Sequence, residues 1–288
     1  MRRATSAFAP RGASDPLGRR IYGVGVMALG MVCLAWGDFD PGQPVPAGIP
    51  GRLALAYSAA ALMLCAGAAV QWRRTTAWGA ATLFFYYTVI VVVLMNGRLV
   101  FAHYGEFGFY SGTAEQLAIG AGALLVYAGF ADIDATSAAR LTRLGTRVLG
   151  ICVLLFGGAH FVYTELTVPL VPRWLPPSQE FWAYATGVAQ LGAAVAMLTG
   201  IADLLAAILL TVMYACFTLL VHAPMLLAHA PSRSVWSENA LNLALIGTAW
   251  VAADSLMQLR RAHSSRHSPT SASGRAASMP SRTFAGRD

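Results

Sequence analysis

Residues 157–192 read GGAHFVYTELTVPLVPRWLPPSQEFWAYATGVAQLG. Pro169, Pro172, Pro176 and Pro177 stiffen the middle, since each proline fixes φ and removes a backbone donor. Apolar sequence extends from both ends of the stretch to about the depth of a bilayer. The stretch therefore reads as the end of one membrane helix, a proline-stiffened loop, and the start of the next helix. It also carries His160, Glu165, Glu180, Tyr184 and Gln190, the densest run of polar side chains at membrane depth.

Composition extends this reading to the whole chain. Of 288 residues, 57% are hydrophobic and 11% charged, and the mean hydropathy is +0.57. Soluble domains carry about a quarter charged residues. Apolar runs occupy roughly 20–38, 52–71, 76–96, 114–131, 147–165, 180–198, 202–223 and 237–257. None alternates as a barrel strand must, so the runs are predicted as helices. The predicted fold is an all-α, polytopic membrane helix bundle with eight transmembrane helices.

All 20 basic residues are arginine. If the N-terminus is cytoplasmic, sixteen of them fall on inner segments, and only Arg52, Arg98, Arg173 and Arg233 fall outside. That asymmetry predicts both termini inside. The +7 formal charge thus belongs to membrane topology, and no nucleic-acid motif accompanies it. Arg19-Arg20 followed by Ile21–Trp36 has the outline of an export signal. The repeat described next predicts a retained helix there instead.

Shifting the chain by 127 residues aligns its halves: Gly23 with Gly150, Gly30 with Gly157, Asp38 with Glu165, Tyr87 with Tyr214. Proline-rich loops recur at the same offset (Pro41, Pro44, Pro46 and Pro50 against Pro169, Pro172, Pro176 and Pro177). Two four-helix units with the same polarity predict parallel repeats about an axis along the membrane normal. The predicted organisation is a cytoplasmic, disordered 1–19, a first unit 20–131, and a cytoplasmic linker 132–146. A second unit follows at 147–258 and a disordered cytoplasmic tail at 259–288. No Gly or Pro interruption occurs at matched mid-membrane positions, which argues against a broken-helix transporter.

Polar residues inside a bilayer are costly and mark candidate sites. In the second unit they are His160, Glu165, Glu180, Tyr184, Gln190, His222, Asn239 and Asn242, with Glu238 beside them, clustered toward one membrane face with Gln190 near mid-depth. Cys33, Met63 and Met95 stand opposite His160, Gln190 and His222 in the first unit, which keeps Asp38, Tyr57, His103, Glu115 and Gln116. The second unit is therefore expected to hold the working site, with His160, Tyr184 and Gln190 bonding a quinone-like headgroup and Trp182 or Phe161 covering its ring. A lone membrane histidine also serves simply to join helices, so a purely structural cluster stands as the alternative. His160 and Glu165 lack metal-ligand spacing, and Cys33, Cys65, Cys152 and Cys216 stand singly in apolar runs as buried structural thiols.

Residues 150–256 resemble the DoxX and DoxX-like family of small four-helix membrane proteins. The resemblance lies in His160-Phe161, Val171-Pro-Arg-Trp-Leu-Pro-Pro177, Trp182-Ala-Tyr-Ala-Thr-Gly187 and Gln190-Leu-Gly192. Gln190 stands where the family typically has a glutamate, which removes a proton acceptor. The resemblance implies a bacterial inner-membrane protein whose main surroundings are the lipid bilayer. It further implies a possible role as membrane subunit of a redox or quinone-linked complex, partnered by a redox enzyme subunit. A non-enzymatic scaffold and a small-solute transporter are the alternatives.

Overall fold

The computed structural model describes residues 17–267, and every regular element among them is helical. Eight helices are long and apolar enough to cross a membrane. They are α1 (Leu17–Trp36), α2 (Arg52–Gln71), α3 (Thr76–Ala102), α4 (Phe107–Phe130), α5 (Ala135–Val162), α6 (Gln179–Thr199), α7 (Asp203–Ala228) and α8 (Arg233–His267). Each packs on its neighbours in sequence, and α1 closes the ring on α8. Helices α4 and α8 also meet, and they are the most enclosed spans, each 67% buried against 28% for α6 and 22% for α7. The centre of the molecule is therefore the α4–α8 contact, and α2, α3, α6 and α7 form its flanks. One end of the bundle carries loops 37–51, 103–106, 163–178 and 229–232 (the proline side), and the other carries the short arginine-side turns.

The two halves match in detail. Gly23 of α1 sits against the Gly67 carbonyl and Val70 of α2, and Gly150 of α5 sits against the Ala194 carbonyl and Met197 of α6. One level further along, Gly30 faces the Ala60 carbonyl and Leu64, while Gly157 faces the Gly187 carbonyl and Leu191. All of these counterparts are 127 residues apart, so small residues let the same helix pair approach closely in each half. Contacts between halves match too: α1 lies on α8 as α5 lies on α4. Neither half is a closed bundle, because each lends its first helix to the last helix of the other.

Several boundaries differ from the sequence reading. The predicted linker 132–146 is helical from Ala135 onward. Asp134 caps this helix, its Oδ1 accepting from the Thr136 and Ser137 amides at 3.0 Å each. Ala138, Ala139, Thr142, Gly145 and Thr146 form a buried face there, while Arg140, Arg143 and Arg147 stand on the exposed one. An amphipathic stretch of that kind is polar on average but helical by periodicity. The predicted tail is likewise helical to His267, and the N-terminal region is helical from Leu17. The remainder of the segments expected to be disordered, 1–16 and 268–288, lies outside the described residues.

A second difference concerns the third helix of each half. Tyr86–Asn96 of α3 and Thr218–His222 of α7 are π-helical. In α7, Pro224 stands two residues past the segment and has no N–H for the preceding turn, so a wider register accommodates it. In α3, the β-branched run Thr88–Val93 crowds the backbone, and the Asn96 side chain donates to the Val91 carbonyl at 3.1 Å. These segments occupy matched positions, with Gly97 and its counterpart Pro224 just beyond them, and both helices remain continuous. Cys33 and Cys152 are buried as expected, whereas Cys65 and Cys216 are exposed on the flanking helices.

Candidate functional site

The residues expected to form one site in the second half lie in four separate places. His160, in the last turn of α5, directs Nδ1 at the Ala183 carbonyl of α6 at 3.0 Å, with Thr186 Oγ1 at 3.3 Å. Gly187 gives it room, since a Cβ there would meet the His160 Cβ at 2.8 Å. The imidazole is thereby a bridge between helix ends. Glu165, Glu180 and Tyr184 line an open cleft of ≈ 700 Å³ with Phe161, Val168 and Pro169. Trp182 does not cover this cleft: its indole N–H donates to the Pro176 carbonyl at 2.8 Å and pins the loop.

Gln190 faces inward on α6, buried with Ala183, Gly187, Ala194 and Met197. The fourth group joins α7 to α8. Asn242 Nδ2 donates to the Tyr214 carbonyl at 3.0 Å and to Thr218 Oγ1 at 2.6 Å, and Asn239 Nδ2 donates to the His222 carbonyl at 3.0 Å. Both amides thus satisfy backbone carbonyls at the π-helical segment, where the ordinary ladder is interrupted.

Five side chains of this half hold buried polar atoms without a hydrogen-bond partner among the described residues: Gln190 Oε1, Tyr214 Oη, His222 Nδ1, Thr248 Oγ1 and Asp254 Oδ2. Their counterparts explain part of this. In the first half, Tyr87 donates to Met63 Sδ at 3.2 Å, whereas Tyr214 and Gln190 occupy the matching positions without bonding. Buried polar groups are satisfied in the great majority of proteins, so each exception calls for a physical explanation.

The first half is more polar inside than its sequence suggests. Loop 37–51 folds in, burying Phe39, Asp40 and Gln43. Asp40 accepts from the Gly42 amide at 2.9 Å and from the Ser237 hydroxyl of α8. Gln43 Oε1 accepts from Tyr86 at 2.8 Å, and Asn96 Nδ2 donates to the Gly42 carbonyl at 3.0 Å. Burial raises the pKa of Asp40, an effect the two hydrogen bonds only partly offset. Above this network Asp38 pairs with Arg52 at 2.5 Å and with Arg233 at 2.6 Å, joining the halves. Burial pushes the Asp38 carboxyl up, but hydrogen bonds from the two arginines leave it below its ordinary value.

Sequence reasoning missed Asp40, Gln43, Tyr86 and Asn96. The run Asp38-Phe-Asp-Pro-Gly-Gln-Pro44 was the available signal, since its counterpart in the second half is less polar. Two of the four arginines on the proline side, Arg52 and Arg233, also gain their reason here, since both serve Asp38.

Over the described residues, fold and polar groups together define a bundle of eight long helices of the multi-pass membrane type, made of two similar four-helix halves with polar groups buried in each. A family model described as a domain of unknown function, DUF8561, matches residues 149–253. That interval runs from within α5 to within α8. No curated protein matches the chain, and no solved structure matches it.

Proposed function

We propose that the protein is a membrane-embedded binding subunit of a redox or quinone-linked complex, with its ligand site in the second half. The observation that carries this reading is three of the orphaned polar atoms on α6 and α7, Gln190 Oε1, Tyr214 Oη and His222 Nδ1. Buried polar atoms in a membrane helix are costly unless a partner meets them. A headgroup with both carbonyl and hydroxyl groups, as in the quinone–quinol pair, offers a donor to Gln190 and an acceptor to Tyr214. His160 of α5 meets the Gln190 face of α6 nearer the proline side, through its contacts with Ala183 and Gly187. The resemblance of residues 150–256 to DoxX-like proteins supports the same class. Both termini lie on the cytoplasmic side of a bacterial inner membrane in this reading, supported by the arginine distribution.

The test compares wild type with Gln190→Met, which installs the first half's residue. Losing one buried hydrogen bond corresponds to about 1–3 kcal/mol, or roughly ten- to hundredfold in affinity. Wild type in detergent should gain thermal stability with a ubiquinone or menaquinone analogue, and Gln190→Met should lose that response. If no quinone stabilises wild type, or if the variant responds equally, the reading fails.

A structural role for the cluster is the second reading. His160, Asn239 and Asn242 each spend a donor on backbone of a neighbouring helix, as helix-joining residues do.

A further inference from the structure

On the arginine side, a cleft of ≈ 480 Å³ opens between α5 and α8. Arg140, Arg143 and Arg147 line it with Leu144 from α5, and Leu259 and His263 close it from α8. The three arginines follow an i, i+3, i+7 spacing, so one helix face presents all of them. Each is exposed, and none has an ion-pair partner among the described residues.

Depth places the cleft at the headgroups. Helix α5 has 28 residues, about 42 Å at 1.5 Å per residue, while the hydrocarbon core is about 30 Å thick. With the Val162 end at the opposite face, the core is crossed by the last 20 or so residues. The turns holding Arg140–Arg147 then straddle the interface, where a phosphate sits. The lining is also part apolar: Ala135, Ala139 and Ala262 join the two leucines beneath the guanidinium groups. That mixture suits a lipid more than a free ion.

We propose that this cleft binds an anionic phospholipid whose headgroup carries two phosphates, of the cardiolipin class. Arg140 and Arg147 lie about 10 Å apart along the helix axis, farther than a single phosphate bridges, and Arg143 lies between them. Guanidinium groups bind phosphate oxygens bidentately, and basic pockets between membrane helices are suited to such headgroups. The chain's own termini do not complement the cleft. Residues 1–16 and 268–288 contain Arg2, Arg3, Arg11, Arg275, Arg282 and Arg287 against only Asp15 and Asp288.

The experiment is native mass spectrometry of the full chain, purified in detergent and exposed to cardiolipin, phosphatidylglycerol or phosphatidylcholine. Wild type should retain cardiolipin at least tenfold over phosphatidylcholine and several-fold over phosphatidylglycerol. Arg143→Gln should lower cardiolipin retention several-fold, and the triple Arg140→Gln, Arg143→Gln, Arg147→Gln variant should abolish the preference. The control is Arg73→Gln with Arg74→Gln, exposed arginines in the α2–α3 turn outside the cleft; it should retain most of the lipid. Thermal melts without added lipid establish that Arg143→Gln is folded. Equal retention of all three lipids by wild type overturns the proposal. A control variant as weak as Arg143→Gln also overturns it, reducing the effect to bulk charge. Equal retention of cardiolipin and phosphatidylglycerol overturns the two-phosphate assignment.

Discussion

Asp38 illustrates how much one side chain organises here. It meets Arg52 from the start of α2 and Arg233 from the start of α8, so one carboxylate ties the halves together on the proline side. Its pKa lies below the ordinary 3.8 because the two arginine hydrogen bonds outweigh burial. The stability it contributes is therefore full above about pH 4 and is lost as pH falls through the lowered value. Asp38→Asn should flatten that acidic part of the pH–Tm profile and cost roughly 1 kcal/mol at neutral pH. A profile unchanged by the substitution would show that the pair is solvated. Asp40 has the opposite sign: burial raises its pKa, so its contribution is full below the ordinary value and declines as pH rises through the raised one. At the same scale, Gln190→Met should raise the ligand-free melting temperature, since it removes a buried carbonyl that lacks a partner.

Between elements, the closest approach is that of α1 and α8. A Cβ on Gly247 would lie 2.2 Å from the Tyr22 amide nitrogen, and one on Gly25 would lie 2.4 Å from the Ala244 nitrogen. Backbone cannot give way as a flexible side chain can, so Gly247→Ala should destabilise by about 1–3 kcal/mol or more. Gly192 of α6 has nothing within 4 Å of its Cβ position. Gly192→Ala should therefore be neutral or mildly stabilising, since Ala is the better helix former. Thermal melts of the two variants in one detergent make the comparison, and equal effects would refute the packing argument. The π-helical segments belong to this scale as well. Each is patched by an asparagine amide, Asn96 from within the α3 segment itself and Asn242 from α8 beside α7.

For the whole molecule, the closed ring has a consequence. Helix α1 finds its partner in α8 and α5 finds its partner in α4, so neither half can bury its own surface alone. Two fragments cut between Asp132 and Asp134 should co-purify when expressed together and should each be degraded when expressed singly. Independent stability of either fragment would contradict this account. Reporter fusions after residues 45, 105, 172 and 232 should be active on the outer side, and fusions after 75 and 132 on the inner side. A reversed signal at any of these sites would refute the proposed orientation.

Eight helices, their order and the kinship of the halves were legible in the sequence, because each rests on a local or periodic property. Hydropathy over a bilayer's length identifies a span whatever its neighbours are, and the 127-residue offset shows in Gly23, Gly30 and their counterparts. The grouping of the polar residues was not legible. His160, Glu180 and Gln190 are close in sequence, but 100° per residue around a helix sends them to a helix joint, an open cleft and a buried face. Asp40 and Ser237 are far apart in the chain, yet they hydrogen-bond because α8 closes on α1. Likewise, Arg140 and Arg143 read as a linker and Arg147 as the first residue of a span until Asp134 capped their common helix and α8 supplied the opposite wall. Burial and pairing depend on which helices meet, and that depends on the ring closing between the halves, a long-range choice that no local pattern encodes.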